Sequence, residues 1–268
     1  SKNFTFQKMN LENLKLLNNL FKKNKFDCIF HLAAQAGVRF SIKNPKKYID
    51  SNIIGFFNII ELAKKMNIKK IFYASSSSVY GDSKEFPLNE KTKINPKNIY
   101  GLTKKFNEEL AEIYSNYYDI NFIGMRFFTV YGEWGRPDML ISKYIEASIK
   151  NKYFYLNNYG NHTRDFTYID DVIEILNRLI YFNNQRKHEI FNICSNRPIK
   201  LNKILTILNT LTKIPKIKKV GFQKGDVLKT HGSNFKIIKS LKFKKFTNIQ
   251  KGLINTFNWY NNFLNKKL

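Results

Sequence analysis

The chain has 268 residues, of which 43% are apolar and 15% aromatic, enough for one large domain or two closely joined ones and too apolar for a disordered chain. Its net charge of +26 comes from lysine spread along the whole length among Asn, Ile and Phe, with no block of five consecutive basic residues and no zinc-finger, homeodomain or RRM signature, so no nucleic-acid partner is expected. No stretch has the roughly 18 uncharged apolar residues of a membrane span, and Ser1-Lys2-Asn3-Phe4 lacks the shape of a signal peptide; a soluble, cytoplasmic protein is expected, with Cys28 and Cys194 as free buried thiols and no metal site.

In chain order, Phe4–Gln7 reads as a short strand and Leu11–Phe21 as a helix. Phe26-Asp27-Cys28-Ile29-Phe30-His31-Leu32-Ala33-Ala34 reads as a buried parallel strand that ends in small residues. His31, at a strand end, is expected to be a core histidine with its hydrogen bonds satisfied. A long helix is expected from Pro45 to Met66, with Asn44 as its cap and Tyr48, Ile49, Ile53, Phe56, Ile60 and Ala63 at helical spacing.

The next apolar run, Ile71 to Ala74, ends in four hydroxyls, Ser75 to Ser78, and then Val79-Tyr80-Gly81. Open α/β sheets bind ligands at such carboxyl ends. Tyr100-Gly101-Leu102-Thr103-Lys104 then opens a helix with Tyr100 and Lys104 on one face and Leu102, Phe106, Leu110 and Ile113 on an opposing apolar stripe. An ammonium beside a phenol favours the phenolate, so this tyrosine can act as a base near neutrality. The spacing also occurs at Tyr80 and Lys84, across a turn, as chance alone would produce in a chain so rich in both residues. What distinguishes Tyr100 is the hydroxyl-rich strand end upstream.

Another strand, Ile120 to Val130, runs into Arg126-Phe127-Phe128-Thr129-Val130-Tyr131-Gly132-Glu133-Trp134-Gly135-Arg136-Pro137-Asp138. Beyond it, helix 138–150, strand 153–156, the segment Arg164-Asp165-Phe166-Thr167-Tyr168-Ile169-Asp170-Asp171-Val172, helix 172–182, strand 189–193, helix 201–212 and a final helix 249–264 are expected.

The serine run with Tyr-x-x-x-Lys, and the segment from Arg126 to Asp138, resemble the extended short-chain dehydrogenase/reductases, in particular their NAD-dependent nucleotide-sugar epimerases and among those the UDP-glucuronate 4-epimerases. The resemblance implies an α/β fold: a Rossmann-like parallel sheet in an NAD-binding domain over residues 1–131, rejoined by 165–195, with a smaller UDP-sugar-binding lobe over 132–268. It implies NAD as cofactor, with Leu32, Ala33, Ala34, Asn52, Tyr100, Lys104 and Phe128 lining it. Ser76, Tyr100 and Lys104 are then the catalytic group. Ser77, Ser78, Thr129, Arg136 and Arg164 are substrate residues, Thr129 and Arg136 being suited to a carboxylate. Ser77 and Ser78 stand where related 4,6-dehydratases and decarboxylases carry a carboxylic acid, which favours simple epimerisation at C4 of a UDP-sugar. A homodimer formed through helices with two apolar faces, such as Pro45–Met66, is also implied.

The chain departs from the resembled pattern in four places. No Gly-x-x-Gly-x-x-Gly turn, which would seat the pyrophosphate at a helix N-terminus, occurs among its 12 glycines. Asn10-Leu11 replaces an Asp-led pair, Gln223 in Phe222-Gln223-Lys224-Gly225-Asp226-Val227 replaces a diphosphate-binding Arg, and Gly232-Ser233 replaces Ala-Asp. The 268-residue chain alone is therefore expected to bind NAD weakly or not at all and to be inactive, the epimerase activity belonging to a longer parent, and a non-catalytic remnant or interaction subunit stands as an alternative, with a UDP-glucose or UDP-GlcNAc 4-epimerase as another.

Overall fold

The computed structural model describes residues 3–183, 186–223 and 225–265. The chain divides into two units, one of Ser1–Gly81, Ile94–Arg126 and Asn184–Ile190, the other of Asp82–Lys93, Phe127–Asn183 and Phe191–Leu268.

In the first unit, Phe4–Gln7 forms no strand, and Phe4 and Phe6 are 72% and 75% exposed. Helix α1 is Leu14–Lys23, started by Asn13, whose side chain accepts from the Leu16 amide. Strand β1 is only Ile29–His31. A short helix, α2 Val38–Lys43, comes before the one expected from Pro45, which is itself a series: α3 Pro45–Tyr48, a π-helical turn Ile49–Ile54 and α4 Gly55–Lys65. Asn44 stands at the cap position without a side-chain cap bond, and Pro45, which has no amide hydrogen to satisfy, opens the turn instead. Strand β2, Lys70–Ser76, passes into a 3₁₀ turn, Ser77–Tyr80, and α5 is Ile99–Tyr117 with Asn98 as its cap. Strand β3 is Asn121–Phe127.

The second unit contributes β4 Thr129–Tyr131, α6 Leu140–Ile149, β5 Tyr153–Asn157, β6 Thr163–Tyr168 and α7 Ile169–Ile180. After β7, His188–Ile193, come β8 Pro198–Lys200, α8 Leu201–Asn209, β9 Lys216–Val220, α9 Phe235–Leu241 and α10 Ile249–Asn265. The strand expected over 120–130 is therefore two, broken at Phe128, and the pieces join different sheets.

The main sheet has the order β1-β2-β3-β7; β4-β6-β8 and β5-β9 form two smaller ones. β1 and β2 are parallel, Ile29 opposite Ile71 and Phe30 opposite Phe72, whose rings stack at 4.2 Å. Phe56, Ile60, Ala63, Ile71, Tyr73, Ala111 and Phe122 form the core of the first unit. Tyr144, Ile145, Phe154, Ile204, Leu208 and Leu253 form that of the second. Among the described residues no helix is long and apolar enough to cross a membrane.

Helix α5 reverses the expectation drawn from its periodicity. It buries Gly101, Thr103, Lys104, Asn107, Glu108, Ala111 and Ser115, while Leu102, Phe106 and Ile113 of the expected core stripe are 54%, 38% and 51% exposed. Lys104 and Glu108 have partners on β2 and β3, Thr103 bonds Asn52 and a carbonyl of its own helix, and Ser115 bonds a carbonyl of its own helix, which offsets their desolvation, while Asn107 has no partner among the described residues.

Candidate active site

The site is built on the carboxyl ends of β1 and β2 and the first turns of α5. Ser76 ends β2 with extended backbone, is 7% exposed, and accepts a 3.2 Å bond from the Ser78 amide, so its side chain caps the 3₁₀ turn and keeps its hydroxyl hydrogen free to donate. Ser77 and Ser78 are half-buried on that turn. Two glycines let the chain close around it. Gly81 has φ +64° and lies so near Asn95 that a Cβ would stand 2.0 Å from its carbonyl oxygen; a Cβ on Gly101 would stand 2.6 Å from the Ser78 carbonyl oxygen. The start of α5 is thereby seated directly on the serine turn, its Gly101 amide held by the Asn98 side chain at 2.8 Å.

Lys104 is 1% exposed and donates to the Ala74 carbonyl at 2.7 Å. Burial brings its ammonium down to about 8, opposed by the negative charge of Glu108. It therefore remains mostly charged at neutral pH while being poorly screened by water. Tyr100, one turn earlier, is half-buried and meets the Tyr48 ring edge-on at 6.2 Å; Tyr48 donates to the carbonyls of Ala36 at 2.8 Å and Gly37 at 2.5 Å. Ser76, Tyr100 and Lys104 are thus brought together within one unit.

Beyond β1, Leu32 and Ala33 are exposed and Ala34 half-buried. Asn52 does not lie on an open helix face: it is fully buried in the π-helical turn, its carbonyl accepting from the Gln35 amide at 2.7 Å and its NH₂ donating to the Gln35 carbonyl and the Thr103 hydroxyl, both at 3.0 Å. Its amide clamps the loop after β1 to α5. His31 is buried as expected but not satisfied, since its Nε2 has no hydrogen-bond partner among the described residues. Burial, reinforced by the Lys104 charge, lowers it to about 3, so it is neutral at ordinary pH.

Sequence reasoning missed a buried polar junction beside this group. Glu108 pairs with Arg126 through two bonds of 2.9 and 2.7 Å, accepts from the Ser75 hydroxyl at 2.5 Å, and Arg126 donates to the Tyr80 hydroxyl at 2.9 Å. The available signal was the position of Glu108, one helical turn beyond Lys104 on the same face.

The other expected residues lie in the second unit. Phe128 is 7% exposed, and Thr129 is half-buried on β4 opposite Phe166. Arg136 holds Asp138 with two bonds of 2.9 and 2.6 Å. Arg164, on β6, donates to the carbonyls of Thr163 and Leu228 at 2.9 and 3.1 Å. Tyr168 stands at the N-cap position of α7 without a side-chain cap bond, with Asp170 and Asp171 in the first turn, and its hydroxyl donates to Glu133 at 2.8 Å. Of the turn that carries Gln223, Lys224 lies outside the described residues.

A parallel sheet whose strand-end serine faces a helix with Tyr-x-x-x-Lys defines the short-chain dehydrogenase/reductase class. The chain belongs to the NAD dependent epimerase/dehydratase family, whose model matches residues 1–194. It is 39% identical to Protein CapI of Staphylococcus aureus, over 96% of this chain and 83% of that protein. It is 38% identical to the UDP-glucuronate 4-epimerase of Thermodesulfobacterium geofontis, over 97% of this chain and 80% of the other. Among solved structures it resembles UDP-glucuronic acid 4-epimerase from Bacillus cereus in complex with UDP-glucuronic acid and NAD, with a TM-score of 0.91 and 27% identity over 98% of this chain and 83% of that one.

The residues after β1 and at the end of β2 fit part of the cofactor of this family, while the glycine turn that would seat its pyrophosphate is not among the residues of this chain. Small and exposed side chains follow β1, so a flat dinucleotide can approach the backbone there, and a buried ammonium stands at the neighbouring strand end.

Proposed function

We propose that the protein is an NAD-dependent nucleotide-sugar 4-epimerase and that its sugar is UDP-glucuronate, converted to UDP-galacturonate. The observation that carries the first part is the buried Lys104 ammonium one turn from Tyr100, on a helix seated against the Ser76–Ser78 turn. Bound NAD supplies a reversible two-electron acceptor for the sugar. Leu32, Ala33, Ala34, Tyr100 and Lys104 would hold it, with Asn52 fixing the loop after β1, and the family resemblance adds Phe128 of the second unit. Tyr100 takes the proton of the sugar 4-hydroxyl, Lys104 stabilises the phenolate, and Ser76 donates to O4. Ser77 and Ser78 in the first unit, and Thr129, Arg136 and Arg164 in the second, are the side chains that the family resemblance assigns to the UDP-sugar.

The choice of glucuronate is supported by the relatives named above and by Thr129 and Gly135-Arg136-Pro137, a hydroxyl and a guanidinium fork suited to a carboxylate. That carboxylate must also be held firmly, because the 4-keto sugar is a β-keto acid and loses carbon dioxide if left free. We further read the outward apolar side chains Ile54, Phe57, Leu102, Phe106 and Ile113 as the face on which a second copy docks; sedimentation of Phe106→Glu as a monomer is the expected outcome.

The experiment is a coupled assay with UDP-glucuronate, UDP-glucose and UDP-GlcNAc in parallel, with UDP-pentose followed as by-product. A kcat/KM for UDP-glucuronate at least about tenfold above the others is expected. Equal or greater turnover of UDP-glucose overturns the glucuronate reading but leaves the epimerase reading standing; turnover of none overturns both.

A further inference from the structure

We propose that Glu108 is a positioning residue for the Tyr100–Lys104–Ser76 group, holding α5 against the serine strand end and setting the charge around Lys104 through its buried pair with Arg126. The proposal rests on the catalytic reading of that group. Glu108 and Arg126 have side chains 4% exposed each, and the carboxylate uses both oxygens: Oε1 accepts from Ser75 Oγ and Arg126 Nε, Oε2 from Arg126 Nη2. Arg126 continues to the Tyr80 hydroxyl and lies 4.9 Å above the Tyr80 ring. One carboxylate therefore links α5, which carries Tyr100 and Lys104, to the residue before Ser76, to the end of the turn that holds Ser77 and Ser78, and to β3.

Stability alone does not account for this arrangement. Two charges taken out of water are costly, and apolar side chains of similar volume commonly do as well or better. An apolar pair cannot do two things that Glu108 does. It cannot fix the Ser75 hydroxyl, and with it the direction in which the strand delivers Ser76. It cannot place a negative charge one helical turn from Lys104, where burial works against the ammonium. The other titratable groups around the junction are His31 on β1, neutral at ordinary pH, Tyr73 on β2, Tyr80 on the 3₁₀ turn, Arg126 on β3, Glu112 on α5 and His188 on β7. Of these only Glu112 shares the sign of Glu108, and it lies two turns from Lys104.

The test uses the whole protein with NAD and the UDP-sugar that it turns over. Glu108→Gln keeps the shape and an acceptor for Ser75 but removes the charge, and Glu108→Leu with Arg126→Met removes both charges without stranding either. In each, kcat at pH 7 is expected to fall at least about tenfold with KM within about threefold, and the alkaline limb of the kcat profile to move down by at least about half a pH unit. Glu108→Asp, which keeps the charge, should return the limb towards its original place. The same shift should appear when Lys104 is titrated directly by NMR in ¹³C-lysine-labelled protein, its signal assigned by loss in Lys104→Met. That readout needs no turnover, so it separates failure of this proposal from failure of the epimerase reading. A double variant with wild-type kcat and pH profile overturns the proposal, as does a loss of kcat in Glu108→Gln with the Lys104 titration unmoved.

Discussion

The buried face of α5 in the first unit and the segment from Thr129 to Asp138 in the second both carry paired charged side chains, but under opposite conditions. Lys104, Arg126 and Glu108 are 1%, 3% and 4% exposed and have partners inside one unit. Arg136 and Asp138 pair just as closely at 2.6 Å, yet their side chains are 45% and 56% exposed. A buried charge cannot turn to water when a partner is lost, so the first group has one permitted geometry. An exposed pair is worth at most about 1 kcal/mol and exchanges partners readily. The difference teaches that, on the function proposed above, reaction chemistry would be built into the buried group, while the choice of sugar would fall to exposed groups able to trade a protein partner for a substrate one.

The sharpest break in that comparison is at Tyr100. Tyr100→Phe should leave less than about a tenth of wild-type turnover while UDP-sugar affinity, measured by calorimetry, stays within a few-fold, because the phenol acts on the reacting hydroxyl and the nucleotide supplies most binding. Retained turnover would place the base elsewhere.

A second effect follows from burial in the same group. His31 is lowered to about 3 when folded, against about 6.5 when unfolded, so the unfolded chain binds the extra proton between those values. Its contribution is fully present above pH 6.5 and is lost as the pH falls towards 3. Urea denaturation should show stability falling on acidification by up to about 1.4 kcal/mol per pH unit from this group, and His31→Phe should remove that part of the slope. His188 is also lowered by burial, so some acid dependence should persist in the variant.

On the exposed side, Arg136→Ala should cut the preference for UDP-glucuronate over UDP-glucose by about one to two orders of magnitude, the range of a charged hydrogen bond worth roughly 1.5–3 kcal/mol. Equal weakening of both sugars in kcat/KM would make Arg136 a general structural or phosphate-binding residue. The smallest effect is expected for Asp138→Asn, which removes the charge that Arg136 pairs with at 2.6 Å: KM for UDP-glucuronate should fall by no more than a few-fold, with thermal stability unchanged within about 1 °C, as befits an exposed pair.

Much of the site was legible in the chain before any fold was known. The four hydroxyls after Tyr73-Ala74 and the Tyr100-x-x-x-Lys104 spacing are local patterns, and a strand end and a helix face follow from periodicities of two and 3.6 residues. Local patterns also identified α1, β2, α6, β5, α7, β7, α8 and α10 to within a few residues, but not β8, β9 or α9. Other features depended on neighbours distant in the chain. The outward face of α5 looked like core because apolar spacing alone cannot say which side has partners, and here Ser75 and Arg126 offer the better ones to Glu108, with Asn52 doing the same for Thr103. Phe4–Gln7 failed as a strand for the complementary reason, since a short apolar run becomes a strand only where an edge pairs with it. By itself the sequence determined which chemical groups are available and at what spacing, because those are properties of adjacent residues. Only the tertiary structure decided that Lys104 loses its water, that Asn52 is a clamp and that Arg136 keeps a replaceable partner, because burial and pairing are set by side chains that the chain brings together from far apart.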